Sequence, residues 1–298
     1  MDDAPRAGEF VTLAPGVRRI VAPNPSPMTY WGTNTYLVGT ATVAVIDPGP
    51  AEATHLAAIL QAVGGAQVSH ILITHAHRDH SPLAAELREA TGAPVYAFGP
   101  PEAGRSAVMA ALAAEGLAGG GEGVDTGFAP DHTLRDGETV AGPDWALAAL
   151  HTPGHFAGHL SFALGDAVFS GDHVMGWAST LISPPDGDLA AFMTSCARLR
   201  ARDDRVYYPG HGAPIERPGA RVDWLMAHRR AREAQILEAL SQRPADARGL
   251  ARAIYTDTPP ALLPAAARNV LAHLIDLEAR NLVRADPKLS ENAVFSRR

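Results

Sequence analysis

The chain has 298 residues, with 46% hydrophobic and 19% charged, the proportions of a globular protein with a sizeable core rather than a disordered or fibrous one. Its net charge of -7 is unevenly placed: residues 1–220 hold 12 basic and 23 acidic side chains, and residues 221–298 hold 13 and 9, which suggests two domains. The single cysteine, Cys196, excludes an internal disulfide and agrees with a reducing, cytoplasmic location, while from the acidic start Met1-Asp2-Asp3-Ala4-Pro5 and the lack of a long apolar run neither a secretory signal nor a membrane span is expected.

Residues 10–21 read as two short alternating runs about Pro15-Gly16, a hairpin. Residues 23–32 are too proline-rich for a ladder and end on Tyr30 and Trp31. A loop over the site is expected there, its aromatics either touching substrate or pinning the loop itself. Residues 34–38 and 42–46 are the next strand pair, closed by Asp47-Pro48-Gly49, where Asp47 is either a plain turn residue or a brace for the histidine-rich turn at 74–80. A helix is expected over 51–63, ended by Gly64-Gly65.

Ile71-Leu72-Ile73 is the apolar run of a buried strand, and it leads into Thr74-His75-Ala76-His77-Arg78-Asp79-His80. Four donors, His75, His77, Asp79 and His80, thus fall within six positions at a strand's end, and three of the chain's 13 histidines are among them. From a non-repeating turn they point in several directions and can serve two neighbouring ions, whereas a helical zinc pair would need a spacing of four. Helix 83–89, strand 95–98 and an alanine-rich helix 102–115 follow, then a glycine-rich flexible loop over 116–127 without the context of a phosphate-binding loop.

Strands over 134–150 deliver the chain to His151-Thr152-Pro153-Gly154-His155, and a hairpin over 160–170 delivers it to Gly171-Asp172-His173. Asp188 reads as the N-cap of a helix to residue 202, on whose apolar face Cys196 is core filler. Strand 206–208 ends at Pro209-Gly210-His211-Gly212. Four strands therefore finish in His or Asp beside glycine, which permits a tight turn that leaves a side chain across the sheet ends. His151, His159 and His173 flank these motifs as buried structural groups or as orienters of ligands. Beyond residue 218 the pattern is helical over 222–240, 248–255 and 265–281, followed by two short extended pieces.

The histidine motif, Thr152-Pro153-Gly154-His155, Ser170-Gly171-Asp172 and Pro209-Gly210-His211-Gly212 stand in the order found in the metallo-β-lactamase superfamily, which residues 10–215 resemble. The resemblance implies an α/β fold, an αββα sandwich of two mixed sheets flanked by helices, with a dinuclear site on one rim. Carried over, His75, His77 and His155 hold a first zinc, Asp79, His80 and His211 a second, and Asp172 bridges them, Asp79 and Asp172 being the catalytic carboxylates. Histidine at 77, where the flavo-diiron oxygen reductases carry Glu, favours zinc and hydrolysis, though the same donors accept iron or manganese. Aspartate at 172, where one group of true β-lactamases carries cysteine, argues against antibiotic hydrolysis. The implied chemistry is attack by a metal-bridging hydroxide on an anionic or ester-type substrate.

Residues 221–298, three helices and two extended pieces, look like a winged helix, so the expected division is 1–220 catalytic and 221–298 winged-helix-like. That tail, with His228-Arg229-Arg230-Ala231-Arg232-Glu233 and the early Asn34-Thr35-Tyr36-Leu37-Val38-Gly39, resembles the superfamily branch containing lactamase-β-like protein 2. The branch implies cleavage of single-stranded RNA. A thioesterase similar to glyoxalase II, another small-ester hydrolase, or a non-enzymatic metal-binding regulator are the alternatives, and a packing module or homodimer contact is the other use for the tail.

Overall fold

The computed structural model describes residues 4–298. Met1, Asp2 and Asp3, part of the start from which no signal is expected, lie outside the described residues. The first sheet has seven strands: β1 (Phe10–Ala14), β2 (Val17–Val21), β3 (Asn34–Val38), β4 (Thr42–Ile46), β5 (Gln67–Leu72), β6 (Val95–Ala97) and β7 (His132–Thr133). The first four pair antiparallel, β1 to β2 and β3 to β4 through short turns and β2 to β3 through the proline-rich loop. From β4 onward the pairing is parallel, because the crossovers carry helices α1 (Ala53–Val63), α2 (Ala84–Thr91) and α3 (Ala107–Ala114).

The second sheet comprises β8 (Thr139–Ala141), β9 (Ala146–His151), β10 (Leu160–Leu164), β11 (Ala167–Gly171) and β12 (Val206–Pro209). Only β11 and β12 are parallel, joined through α4 (Leu189–Arg200).

Strand periodicity assigns each side chain a layer. Leu37, Val43, Val45 and Ile71 pack under α1 and α2 against Ile59, Val63 and Leu87. The alternate residues Tyr36, Val38, Ala44, Ile46 and Leu72 face the other sheet and meet Leu147, Phe162, Phe169 and Tyr208. On the far side Val168 and Tyr207 meet Phe192, Cys196 and Leu199 of α4. The result is the expected pair of mixed sheets with helices on both outer faces, each large buried side chain contributing roughly 1.5–3 kcal/mol by leaving water.

Three boundaries depart from the sequence reading. The helix expected over 102–115 is only Ala107–Ala114, since Gly104 turns with φ +85° and a side chain there would meet the Ala157 carbonyl at 2.7 Å. The strand expected from Leu134 is displaced: His132–Thr133 pairs with β6 in the first sheet, and the chain crosses to the second before β8. The helix expected over 222–240 is α5 (Pro218–Gln242), opened early because Pro218 fits the first helical turn.

Helix α5 belongs to two cores. Its Val222 and Leu225 pack beneath the second sheet, while Ile236 and Leu240 join α6 (Ala247–Ile254), α7 (Leu263–Ala279) and the hairpin β13 (Val283–Asp286), β14 (Val294–Arg297). Three helices and a two-stranded wing make the winged-helix arrangement of the tail. No helix among the described residues is long and apolar enough to cross a membrane.

His273 of α7 is buried, and neither ring nitrogen has a hydrogen-bond partner among the described residues. Burial first, then the nearby Arg229, His228 and Arg280, push it down to about 3 from its ordinary 6.5. Between those values the unfolded chain binds a proton that the folded chain refuses, so stability falls as pH drops through that window. His273→Leu should remove this contribution, flattening the acid side of a urea-denaturation profile by up to about 1.4 kcal/mol per pH unit. Parallel profiles for the two proteins between pH 6 and 4 would refute the assignment.

Candidate metal centre

The turn after β5, the loop after β9 and the ends of β11 and β12 converge on one rim of the sandwich, and all seven sequence-predicted donors meet there, buried. They form two groups able to hold a metal ion, His75 with His77 and His155, and Asp79 with His80, Asp172 and His211, the ligand atoms of each group lying within 4.8 Å of one another. His77 Nδ1 is 3.0 Å from His75 Nε2 and 3.1 Å from His155 Nε2. Asp79 Oδ2 is 3.3 Å from His80 Nε2 and 3.1 Å from His211 Nε2. Asp172 lies between the groups, with Oδ2 3.3 Å from His211 Nε2 and 3.7 Å from His155 Nε2, and Oδ1 3.5 Å from His80 Nε2. Glycine at 210 makes the room, since a side chain there would collide with Asp172 Oδ1.

The surrounding hydrogen bonds decide where each imidazole proton sits. Thr74 Oγ1 donates to Asp47 Oδ2, so His75 Nδ1 must donate to Thr74 Oγ1. His80 Nδ1 donates to Asp47 Oδ2, His155 Nδ1 to the Leu181 carbonyl at 2.7 Å, and His211 Nδ1 to the Gly32 carbonyl. With those four protons committed outward, four Nε2 atoms and two carboxylates point inward, each Nε2 offering a lone pair whenever its ring is neutral. His80 Nε2 and Asp172 Oδ1 are buried without a hydrogen-bond partner among the described residues. Converging lone pairs and carboxylates are the donor set of a divalent cation, held in orientation by carbonyl and carboxylate partners behind them.

Asp47 is the brace anticipated in the sequence. It takes φ +50°, rare for a residue with a side chain, and its Oδ1 accepts from the Thr74 amide at 2.8 Å. One carboxylate thereby fixes both the start of the histidine turn and the His80 ring, and the unfavourable backbone is retained because several bonds over-determine it.

Without cations the two groups differ in charge. Burial first, then the neighbouring rings of His80, His77 and His155, hold His75 well below the usual histidine range, and burial with His155 pushes His77 down to about 3. His155 is lowered by burial, partly offset by Asp172. For His211 burial opposes the charge, but Asp172 and Asp79 outweigh it and bring the ring to about 10; His80 is raised well above its usual range by Asp79, Asp172 and Asp47 against the same opposition. Burial would raise both carboxyls, yet His80 and His211 reverse this and hold Asp79 and Asp172 well below the carboxylate range. The second group is thus an ion-paired cluster whose protons occupy the place of a cation.

His151, His159 and His173 lie outside both groups. His159 Nδ1 pairs with Thr152 Oγ1, His173 Nε2 rests 3.6 Å from Cys196 Sγ, and His151 stacks on Phe98. Cys196 itself is buried, its thiol pushed up to about 12 by that burial, and packs as core.

A cavity of about 250 Å³ opens over the metal rim. Tyr30 and Trp31, which the sequence offered as substrate contacts or loop pins, do not line it. They stack at 4.8 Å, and Tyr30 stacks on Trp177 at 4.9 Å, so they anchor the loop while its Pro27 and Met28 reach the cavity. The other walls come from the segment after Asp172 (Met175, Trp177, Leu181) and from the tail (Tyr255, Leu262, Asn269). Sequence reasoning missed these residues, since nothing in their local pattern marks them. The loop over 116–127 also reaches the rim: Val124 forms a β-bridge with His77, and the Arg78 amide donates to the Gly123 carbonyl.

Residues 28–211 match the family model of the metallo-β-lactamase superfamily, and residues 247–290 match that of the β-lactamase-associated winged helix domain. The chain is 31% identical over 296 residues to the β-lactamase-like protein 2 homolog of Drosophila melanogaster, covering 94% of this chain and 93% of that protein. It is 31% identical over 245 residues to an atrochrysone carboxyl ACP thioesterase of Aspergillus fumigatus, covering 79% and 68%. The crystal structure of a metallo-β-lactamase family protein from Thermus thermophilus superposes with a TM-score of 0.78 at 28% identity, over 96% of this chain and all of that one. On its sandwich, its donor groups and these matches, the chain belongs to the metallo-β-lactamase superfamily of hydrolases and carries the associated winged helix domain.

Proposed function

We propose that the protein is a dinuclear zinc hydrolase that cleaves a thioester or related ester with an apolar acyl part. The observation that carries this reading is the cavity wall. Among the described residues its only charged side chain besides those of the metal rim is Glu122, no lysine or arginine lines it, and Met28, Met175, Trp177, Leu181 and Leu262 give it an apolar lining. A phosphodiester backbone is recognised through cations flanking the scissile group, whereas a thioester needs a polarised carbonyl and an apolar seat for its acyl chain. The activity for which the Aspergillus fumigatus relative is named, an ACP thioesterase, points the same way.

In this reading His75, His77 and His155 would hold one ion, Asp79, His80 and His211 the other, and Asp172 would face both. Two bound cations would supply an acidified water and polarisation of the scissile carbonyl. Water adds to that carbonyl, the carbon–sulfur bond breaks, and the products are a carboxylic acid and a thiol that takes up the released proton. In the metal-free cluster His80 and His211 hold Asp79 and Asp172 ionised, and as carboxylates both would be ready to hold a cation in place of those protons. We further propose two units, 1–220 catalytic and 221–298 winged-helix, with the tail closing the cavity, in a cytoplasmic protein.

Single-stranded RNA cleavage is the second reading. It is favoured by the match along almost the whole chain, tail included, to a β-lactamase-like protein 2 homolog. Incubating zinc-loaded protein with acyl-CoA and acyl-glutathione thioesters, and separately with single-stranded RNA, separates the two. Thioester turnover is the expected result. RNA cleavage with inert thioesters would reverse the order, and inertness toward both would sink each.

A further inference from the structure

We propose that the arginine-bearing cleft between the tail and the glycine loop binds the phosphate of the substrate's thiol half, making the substrate an acyl thioester of phosphopantetheine. The proposal rests on the thioesterase reading and adds to it a binding site outside the metal cavity. The cleft, about 760 Å³, is roughly three times the volume of the metal cavity. Met28, Gly121 and Ala265 line both, so the two adjoin and one elongated molecule can occupy them together.

Their charges are opposite in kind. The metal cavity has no arginine or lysine, whereas the cleft is lined by Arg248, Arg252 and Arg268 against the single carboxylate of Glu291, leaving +2. Arg268 is built in: its Nε donates to Ser183 Oγ at 3.0 Å and its Nη2 to the Ala118 and Pro184 carbonyls. That fixes its guanidinium where the glycine loop meets the segment after Asp172. Arg248 and Arg252 stand one turn apart on α6, and Arg248 lies 3.4 Å from Glu291. Arg268 Nη1 lies 3.6 Å from the same carboxylate, so Arg268 adds a fixed positive charge, and the donors that would reach an anion entering the cleft are those of the exposed Arg248 and Arg252.

The rest of the lining selects among phosphates. Ala251, Leu263 and Leu271 with Gly119, Gly120 and Gly121 give an apolar wall, and among the described residues no phenylalanine, tyrosine or tryptophan lines the cleft. Single-stranded nucleic acids are held on aromatic stacking platforms, which this wall lacks. A slender arm with methyl groups, amides and a phosphate at its far end fits both the wall and the charge. Such an arm occurs in coenzyme A, where the phosphate is joined to a nucleotide, and on carrier proteins, where it is joined to a serine.

The test compares one acyl group on three thiols, pantetheine, 4′-phosphopantetheine and coenzyme A, with the zinc-loaded full chain. The phosphorylated thioesters should exceed the pantetheine ester in kcat/KM by about tenfold or more, mainly through KM. In Arg248→Ala/Arg252→Ala that ratio should collapse toward one, and the same ester on a carrier protein separates the tethered source from the free one. Equal kcat/KM for all three in the wild type, or a ratio unchanged in the double variant, overturns the proposal and leaves the thioesterase reading standing. Turnover of none of the three overturns that reading and this proposal with it.

Discussion

Asp172→Ala is expected to lower hydrolysis by about a thousandfold or more while the protein still folds, and to reduce bound metal from two ions per chain. The side chain follows β11 and faces both donor groups, His155 on one side and His80 and His211 on the other. Its removal leaves two imidazoles of the second group sharing Asp79 alone, and removes the carboxylate that faces both clusters. Asp172→Asn is the informative companion, because it keeps the shape and deletes the charge. If charge is what matters, the two variants should be equally inactive, and in the absence of metal both should melt below wild type, since each leaves buried His80 and His211 with one carboxylate fewer. His77→Ala should behave alike, since its Nδ1 is the point at which His75 and His155 meet. Elemental analysis, kcat/KM and circular dichroism melts together read the outcome. Undiminished turnover or unchanged metal content in Asp172→Ala would refute the site assignment.

The centre was legible in the sequence because its donors sit where local pattern is most informative, at the ends of short apolar strands beside glycine. A buried strand has to end at the sheet's rim, so four strand ends marked by His or Asp could only converge if the strands shared a sandwich. The cavity was not legible in this way. Its walls come from residues 27–28, 175–181 and 255–269, which become neighbours only once the tail is folded against the catalytic sheets. The same limit explains the misplaced strand near Leu134: two residues, His132 and Thr133, take their conformation from pairing with β6, a contact that local propensity does not encode.

Arg229 shows the limit from another side. In the sequence it is one of several arginines in a basic stretch, and arginine is seldom fully buried. In the fold it is 2% exposed, lies over the Phe192 ring, and donates to the Ser179 and Thr180 carbonyls and to Asn269 Oδ1. The charge contrast between the two halves of the chain therefore includes a guanidinium that faces neither solvent nor nucleic acid.

Arg229→Met is accordingly expected to cost about 3 kcal/mol or more of stability and also to weaken metal binding roughly 10- to 100-fold. The first effect follows from leaving the Ser179 and Thr180 carbonyls without this donor and from taking one of its two donors from Asn269 Oδ1. The second follows from the path of hydrogen bonds. Asn269 Oδ1, which Arg229 orients, also accepts from the Ile182 amide at 3.0 Å, so α5 and α7 grip the chain on both sides of Leu181. The Leu181 carbonyl between those grips is the acceptor for His155 Nδ1. Loosening the grip frees the carbonyl, and the imidazole loses the partner that fixes its proton outward and its Nε2 inward. Asn269→Ala should weaken metal binding with a smaller loss of stability, because it removes one grip and spares the other. Chelator competition and the visible spectrum of the cobalt-substituted protein report on the His155 side independently of turnover, and urea denaturation reports on the fold. A lowered unfolding midpoint accompanied by wild-type chelator competition and an unchanged cobalt spectrum would show that the arginine only holds the tail in place, and would break the link drawn between the winged helix and the metal rim.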